Sequence, residues 1–112
     1  MVLFLYNSCK KDKEKTVPVL TTLSISNITS TTATCGGNIT GGCPLVSERG
    51  VCWSKGSNPT TADSKTTDGT GQGNYASTIS NLDTSSTYYA RAYAINCVGT
   101  GYGNIVSFTT QP

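Results

Sequence analysis

The sequence predicts an all-β domain, a two-sheet antiparallel sandwich of about seven strands. Val, Ile, Tyr and Thr supply most of the bulky side chains and Leu is scarce, a composition that favours strands over helices. From residue 19 onward, short β-prone runs are separated by turn residues at intervals of about ten, the spacing of antiparallel sandwiches. No stretch with the helical period interrupts these runs.

The chain of 112 residues is long enough for one domain with a single core. We divide it into an apolar segment at 1–8, a charged tether at 9–18 and the domain at 19–112. The predicted strands are VLTTLSISN, TTATCGGNIT, ERGVCWS, a weak TADSKTT, NYASTISNL, STYYARAYAIN and YGNIVSFTT. The segments between them, such as GGCP, KGSNP and DGTGQG, are rich in residues that favour turns.

The sixth run shows the clearest two-residue period. One face carries Tyr88, Ala90, Ala92 and Ala94, and the other carries Tyr89, Arg91 and Tyr93. Because the first set is mostly small and apolar, we expect that face to point into the core.

The strongest family signal surrounds the same run. Leu82 precedes Tyr88 by six residues, and the alternating residues lead into A-x-N-x-x-G at Ala94, Asn96 and Gly99. This pattern resembles the E–F corner and F strand of fibronectin type III domains, and the Leu–Tyr pair would be that family's tyrosine corner. TATCGGNIT, RGVCWS, NPT, KTTDGTGQGNY and GTGYGNIVSFTT also resemble type III-like modules in surface and secreted proteins of Bacteroidetes-type bacteria. Over residues 19–110 the resemblance implies a fibronectin type III or immunoglobulin-like sandwich.

The sequence departs from the animal members of that family at one core position. Those domains carry a core Trp on the second strand, where this sequence has Gly37. Its only Trp is Trp53, in the third run. We therefore expect the core to be packed differently.

Charge and residue types argue against several function classes. The net charge of +2 arises at residues 10–15, since the domain itself has four basic and four acidic side chains and thus no basic face for nucleic acid. There is no histidine to activate a Ser or Cys nucleophile. DGTGQG lacks the lysine and helix of a phosphate loop, and Asp63 and Asp68 offer too few oxygens for calcium. We expect no catalytic residue, cofactor, metal or nucleic-acid partner.

Five cysteines in a small domain favour an oxidising compartment and leave one unpaired. Cys35 and Cys52 are equally distant along the chain from the turn between them, so a bridge at equal depth is expected. In the type III fold implied by the resemblance, Cys43 and Cys97 lie in loops at one end of the sandwich, and a second bridge is expected there. Four cysteines allow three pairings, and free thiols are the alternative.

Three aromatic residues form a candidate binding strip. Trp53, Tyr89 and Tyr93 would stack on a sugar or contact a protein if the third and sixth strands are neighbours and the rings face outward. The alternative is a core Trp53 with two ordinary surface tyrosines. Exposure of the three rings on one face distinguishes these hypotheses.

Cys9 follows the apolar MVLFL and Ser8 and precedes the charged KKDKEK. The arrangement resembles a truncated bacterial lipoprotein signal, in which the cysteine is lipidated and becomes the new N-terminus, followed by the spacer of Bacteroidetes lipoproteins. The alternative is an N-terminal remnant with a free thiol. The resemblance implies a domain anchored by lipid to the outer membrane or cell surface of a bacterial envelope, or otherwise secreted.

The predicted function is a non-catalytic envelope or surface module that acts as a spacer, in adhesion or in protein–protein interaction. Its partner would be a protein or a glycan, and membrane contact would be through the lipid alone. The alternative is a carbohydrate-binding accessory module.

Overall fold

The computed structural model describes residues 16–43 and 45–112, without the side chain of Cys43. Its strands are β1 (Thr16–Thr22), β2 (Ala33–Cys43), β3 (Glu48–Ser54), β4 (Ser64–Lys65), β5 (Gly73–Ile79), β6 (Thr87–Ile95), β7 (Thr100–Tyr102) and β8 (Val106–Thr109). One sheet has the order β1-β2-β5 and the other β4-β3-β6-β7, with β8 also paired to β6. All pairs are antiparallel. The predicted two-sheet sandwich is confirmed.

Several strand boundaries differ from the prediction, and two of the differences affect how the sheets are joined. The first strand begins at Thr16, so the last three residues of the predicted tether belong to β1. The last run begins at Tyr102, the final residue of β7, so most of β7 precedes that run and β8 lies in its second half. Thr22 of β1 reaches β6 near the interval between β7 and β8. Ala92 N donates to Thr22 Oγ1 at 2.9 Å, and Thr22 N donates to Asn104 Oδ1 at 2.9 Å. These two bonds tie the first strand to the other sheet.

The alternation predicted for the sixth run is confirmed in β6. Tyr88, Ala90, Ala92 and Ala94 are buried and belong to the two core clusters between the sheets. The first cluster also holds Ala33, Cys35, Val51, Ile79, Leu82 and Phe108, and the second holds Leu20, Ile39, Val46 and Tyr75. The inward-facing side chains of the strands are thus buried between the two sheets, where the two clusters together form the core.

The predicted corner is present at the start of β6. Leu82 and Tyr88 are both buried in the first core cluster. The Tyr88 hydroxyl accepts a hydrogen bond of 2.8 Å from the backbone N–H of Asp83. The Tyr88 ring also stacks on Phe108 at 5.8 Å between centroids, so the corner joins the loop before β6 to β8.

Tyr75 fills the space that a larger side chain at position 37 would occupy. A Cβ on Gly37 would lie 2.6 Å from the Tyr75 hydroxyl and 2.7 Å from Ala92 Cβ. The Tyr75 hydroxyl lies 2.7 Å from the Gly50 carbonyl oxygen in the opposite sheet. The core is therefore packed here by a tyrosine of β5 laid over a glycine of β2.

Nothing in the structure, over the residues it describes, is a helix long and apolar enough to cross a membrane.

Candidate functional site

The candidate site is a groove on the side of the sandwich formed by the edge strands β4 and β5. Two adjoining cavities of about 570 and 350 Å³ form it. Both are lined by Trp53, Ser64 and Asn81. The larger is also lined by Ser54, Lys55, Ala62, Asp63 and Tyr88, and the smaller by Lys65, Thr66, Thr78 and Ser80. We call this surface the Trp53 groove.

Trp53 is placed in the groove by the alternation of β3. Val51 is fully buried in the first core cluster, and Trp53, two residues later, packs half-buried against that cluster. In the ladder Trp53 lies opposite Ala90, which also faces inward. The neighbouring β4 has only two residues, too few to cover the side of the sandwich. Part of the indole is therefore packed and part is open to the groove.

The rim of the groove carries charged side chains that are paired. Lys55 and Asp83 form an ion pair of 2.6 Å that is more than half exposed. Lys65 and Glu48 form one of 2.7 Å, and this contact lowers the pKa of Glu48. The remaining lining is mainly hydroxyl and amide groups. It also includes the Asp63 carboxylate, which accepts a hydrogen bond of 2.8 Å from Thr60 N and forms no ion pair among the described residues. The groove thus offers an aromatic surface among mainly neutral polar groups with one carboxylate in the larger cavity, which suits a ligand without negative charge.

A polar cluster joins the two sheets at the Thr66 end of the groove. Thr66 Oγ1 accepts a bond of 3.0 Å from Val51 N, donates to the Asp68 carboxylate at 2.8 Å and lies 2.9 Å from Ser77 Oγ. Ser77 also donates to Asp68. Arg49 donates to the Asp68 carbonyl at 3.0 Å and lies over the Tyr75 ring at 4.8 Å. This cluster anchors the DGTGQG turn between β4 and β5.

The candidate aromatic strip was wrong, and Trp53 faces inward as in the alternative hypothesis. Tyr93 faces outward but is fully buried, because its hydroxyl lies 2.8 Å from the Glu48 carboxylate and 2.6 Å from the Thr66 carbonyl. Tyr89 is half-buried on that outer face, whereas Trp53 lies on the inner face. Strand register puts Trp53 opposite an inward residue of β6, so the three rings share no exposed face.

The predicted Cys35–Cys52 bridge was also wrong, since both residues are buried free thiols. Cys35 lies in the first core cluster. Cys52 is next to inward-facing Val51 and so points to the outer face, where its Sγ lies 3.6 Å from the Arg91 carbonyl. The two side chains do not meet, because Cys35 of one sheet points into the core and Cys52 of the other sheet points away from it. Burial raises the pKa of each thiol to about 11.

The pairing of Cys43 with Cys97 stays a prediction, because the Cys43 side chain lies outside the described residues. The backbone brings the two segments to the same end of the sandwich. Cys43 pairs with Thr16 in the ladder, and the Thr16 carbonyl accepts a bond of 2.8 Å from Asn96 Nδ2, next to Cys97. Cys9 likewise lies outside the described residues.

Trp53 lies in the third strand as predicted, whereas Ser64 and Asn81, the other two residues common to both halves of the groove, were not predicted as site residues. The sequence around each of these two residues nevertheless contains a feature related to its position in the groove. The fourth run was the weakest of the predicted strands and becomes the two-residue β4 that leaves the side open. Asn81 lies in the turn before β6 at φ 60°, a conformation that Asn tolerates better than most residues.

No protein-family model and no curated protein matches the sequence. Solved structures do match in fold. The sensor domain of the anti-sigma factor RsgI4 from Pseudobacteroides cellulosolvens is 18% identical with a TM-score of 0.60, over 86% of this chain and 96% of that one. The fibronectin type III domain of human fibronectin type III domain containing protein 3 is 19% identical with a TM-score of 0.60, over 90% and 93%. A domain of human collagen XX is 22% identical with a TM-score of 0.58, over 86% and 94%.

Proposed function

We propose that this chain, whose fold is that of a fibronectin type III domain, is a binding module of a bacterial envelope that is anchored through Cys9 and binds its partner in the Trp53 groove. Domains of this fold are generally non-catalytic interaction or spacer modules. A binding role is favoured over a pure spacer role by one observation, the half-exposed Trp53 between the edges of the two sheets. Aromatic rings in open grooves contribute strongly to recognition because they bury large area with little loss of conformational freedom.

The carbohydrate-binding alternative loses its predicted platform of three rings. It keeps one specific observation in its favour, since Trp53 is surrounded by hydroxyl and amide groups of the kind that bind sugars. Screening therefore has to include both ligand classes.

The groove is tested with the full chain on a glycan array and in a selection from random peptides displayed on phage. We expect binding that is lost in Trp53→Ala. Ser64→Arg is the second variant, because Ser64 is exposed and a long charged side chain there fills the groove without disturbing the core. Ser57→Arg, also exposed but outside the groove, is the matched control. The groove is refuted as the binding site if the ligands bind the wild type and the three variants equally. It is also refuted if neither glycans nor peptides bind the wild type.

The proposed anchor is supported by the sequence around Cys9, and β1 begins at Thr16, close behind the lysine-rich segment. A stable attachment requires more than one acyl chain, as a lipidated N-terminal cysteine provides. Palmitate labelling of the full-length gene product in a related bacterium should mark the wild type and not Cys9→Ser. Equal labelling of both, or of neither, would reject the anchor.

A further inference from the structure

The outer edge of β5 has backbone groups that point away from its sheet. In β2, Thr34 exchanges two hydrogen bonds of 2.9 Å with Ser26, and the Gly36 carbonyl accepts one from Leu23, so both residues bond on the side away from β5. Their partners in the ladder are Thr78 and Ala76. These are therefore non-hydrogen-bonded pairs, and the N–H and C=O groups of Thr78 and Ala76 point outward. Because the pattern repeats every two residues, the N–H and C=O groups of Asn74 also point outward.

The other edge strands of the two sheets have features that hinder pairing with an additional strand. β1 carries Pro18 and two irregularities of register. β4 has two residues, and the edge formed by β7 and β8 is interrupted at residues 103–105. β5 has seven residues, GNYASTI, with no proline and no charge. It is the one long and uninterrupted edge among the residues that the structure describes.

The free edge of β5 borders the Trp53 groove. Thr78 of β5 lines the smaller cavity together with Trp53, and Ser80 and Asn81 continue that wall. In a strand added beside β5, alternate side chains would extend the inner face of the β1-β2-β5 sheet and so point toward the groove. Backbone pairing and a side-chain pocket would then be presented on the same side of the domain.

We propose that the β5 edge accepts an extended peptide segment of a partner protein as an additional strand, with one apolar side chain of the segment in the Trp53 groove. This inference rests on the proposed function and specifies its partner class. Addition of a strand to a free sheet edge derives affinity from main-chain hydrogen bonds and specificity from pockets for alternate side chains, and both are available here.

The chemistry of the edge and groove defines the segment. β5 carries no charge, and the lysines that line the groove are paired with carboxylates, whereas Asp63 lines the larger cavity without an ion pair among the described residues. The segment is therefore expected to be uncharged where it pairs, with an aromatic or large aliphatic residue for Trp53 and β-branched or small residues beside it.

The test begins with peptides of about twelve residues selected on the full chain from a random phage-displayed library. Ala76→Pro removes an outward N–H and leaves the bonds of β5 to β2 in place, and Ala76→Thr keeps the N–H as matched control. Selected peptides should bind Ala76→Pro at least about tenfold more weakly and Ala76→Thr about as tightly as the wild type. In the wild-type complex, amide exchange at Asn74, Ala76 and Thr78 should slow. That measurement decides the question even if the proline variant fails to fold.

The remaining outcomes separate this inference from the proposed function. If selected peptides require Trp53 but tolerate Ala76→Pro and leave the three amides unprotected, strand addition is refuted and the groove remains the binding site. Trp53-dependent binding of glycans alone likewise refutes strand addition and retains the groove. If neither peptides nor glycans bind, both strand addition and the groove as the binding site are refuted.

Discussion

The two lateral sides of the sandwich join the sheets in different ways. On the side of β1 and β7 the backbones meet directly, because a Cβ on Gly101 would lie 2.0 Å from the Pro18 carbonyl oxygen. Thr22 and Asn96 add hydrogen bonds between the sheets there. On the side of β4 and β5 side chains connect the sheets, through the cluster around Thr66, Asp68 and Ser77 and through the Tyr75 hydroxyl, and the Trp53 groove lies beside them. The closed side holds the sandwich together, and the open side is available for binding.

The largest expected effect is on the closed side. Gly101→Ala should lower the free energy of unfolding by about 2–3 kcal/mol, because the new methyl group meets backbone that cannot move without separating β1 from β7. Urea unfolding measures the change. In Gly56→Ala, the matched control, the new Cβ would have only Ser54 Oγ nearby, at 3.6 Å, and stability should be almost unchanged. Equal effects of the two substitutions would show that β1 and β7 are not in backbone contact.

Thr22→Val should have the next largest effect. Val has the same shape as Thr but cannot accept the hydrogen bond from Ala92 N. Since Ala92 is fully buried, water cannot replace that acceptor, and the loss should be about 2 kcal/mol in urea unfolding. The exposed neighbour Thr21 provides the same exchange as a control, and Thr21→Val should be neutral. A neutral Thr22→Val would contradict the assigned bond.

The same exchange on the open side should be milder. Thr66→Val removes the acceptor for Val51 N and the link to Asp68, but Thr66 lines the groove and water entering there can replace the lost bonds. We expect a loss of about 1 kcal/mol, measured as for Thr22→Val. Thr70→Val, in the exposed turn, is its control. If Thr66→Val destabilises as much as Thr22→Val, the groove does not admit water and the contrast between the sides fails.

The smallest effect concerns pH and the Lys65–Glu48 pair, at the outer margin of the open side. The Lys65 hydrogen bond lowers the pKa of Glu48, so the stabilisation is present above the ordinary glutamate pKa and is lost as pH falls through the lowered value. For this exposed pair it amounts to about 0.5 kcal/mol. Unfolding free energies of the wild type and Glu48→Gln should therefore differ at pH 7 and converge near pH 3. A difference that grows on acidification would have the wrong sign.

Sequence patterns predicted the fold well where one face of a strand is clearly apolar. The alternation from Tyr88 to Ala94 and the Leu82–Tyr88 spacing both describe contacts within a short stretch of chain, and both are confirmed. The pattern was ambiguous in the third run, where Val51, Cys52 and Trp53 are consecutive apolar residues. Both orientations of Trp53 therefore stayed open as alternatives, and the buried outward position of Cys52 could not be inferred, so the Cys35–Cys52 bridge was assigned to the wrong face.

The sequence by itself determined an all-β sandwich, the inward face of β6 and the corner at Tyr88, because these depend on local periodicity and on spacing along the chain. The tertiary structure alone decided which face of β3 is inward, that Tyr75 packs over Gly37, and that Trp53 meets Ser64 and Asn81 in a groove. Each of these depends on the register between strands distant in sequence. A shift of one residue moves every side chain of a strand to the opposite face, so register, rather than composition, decides which residues meet at the open side.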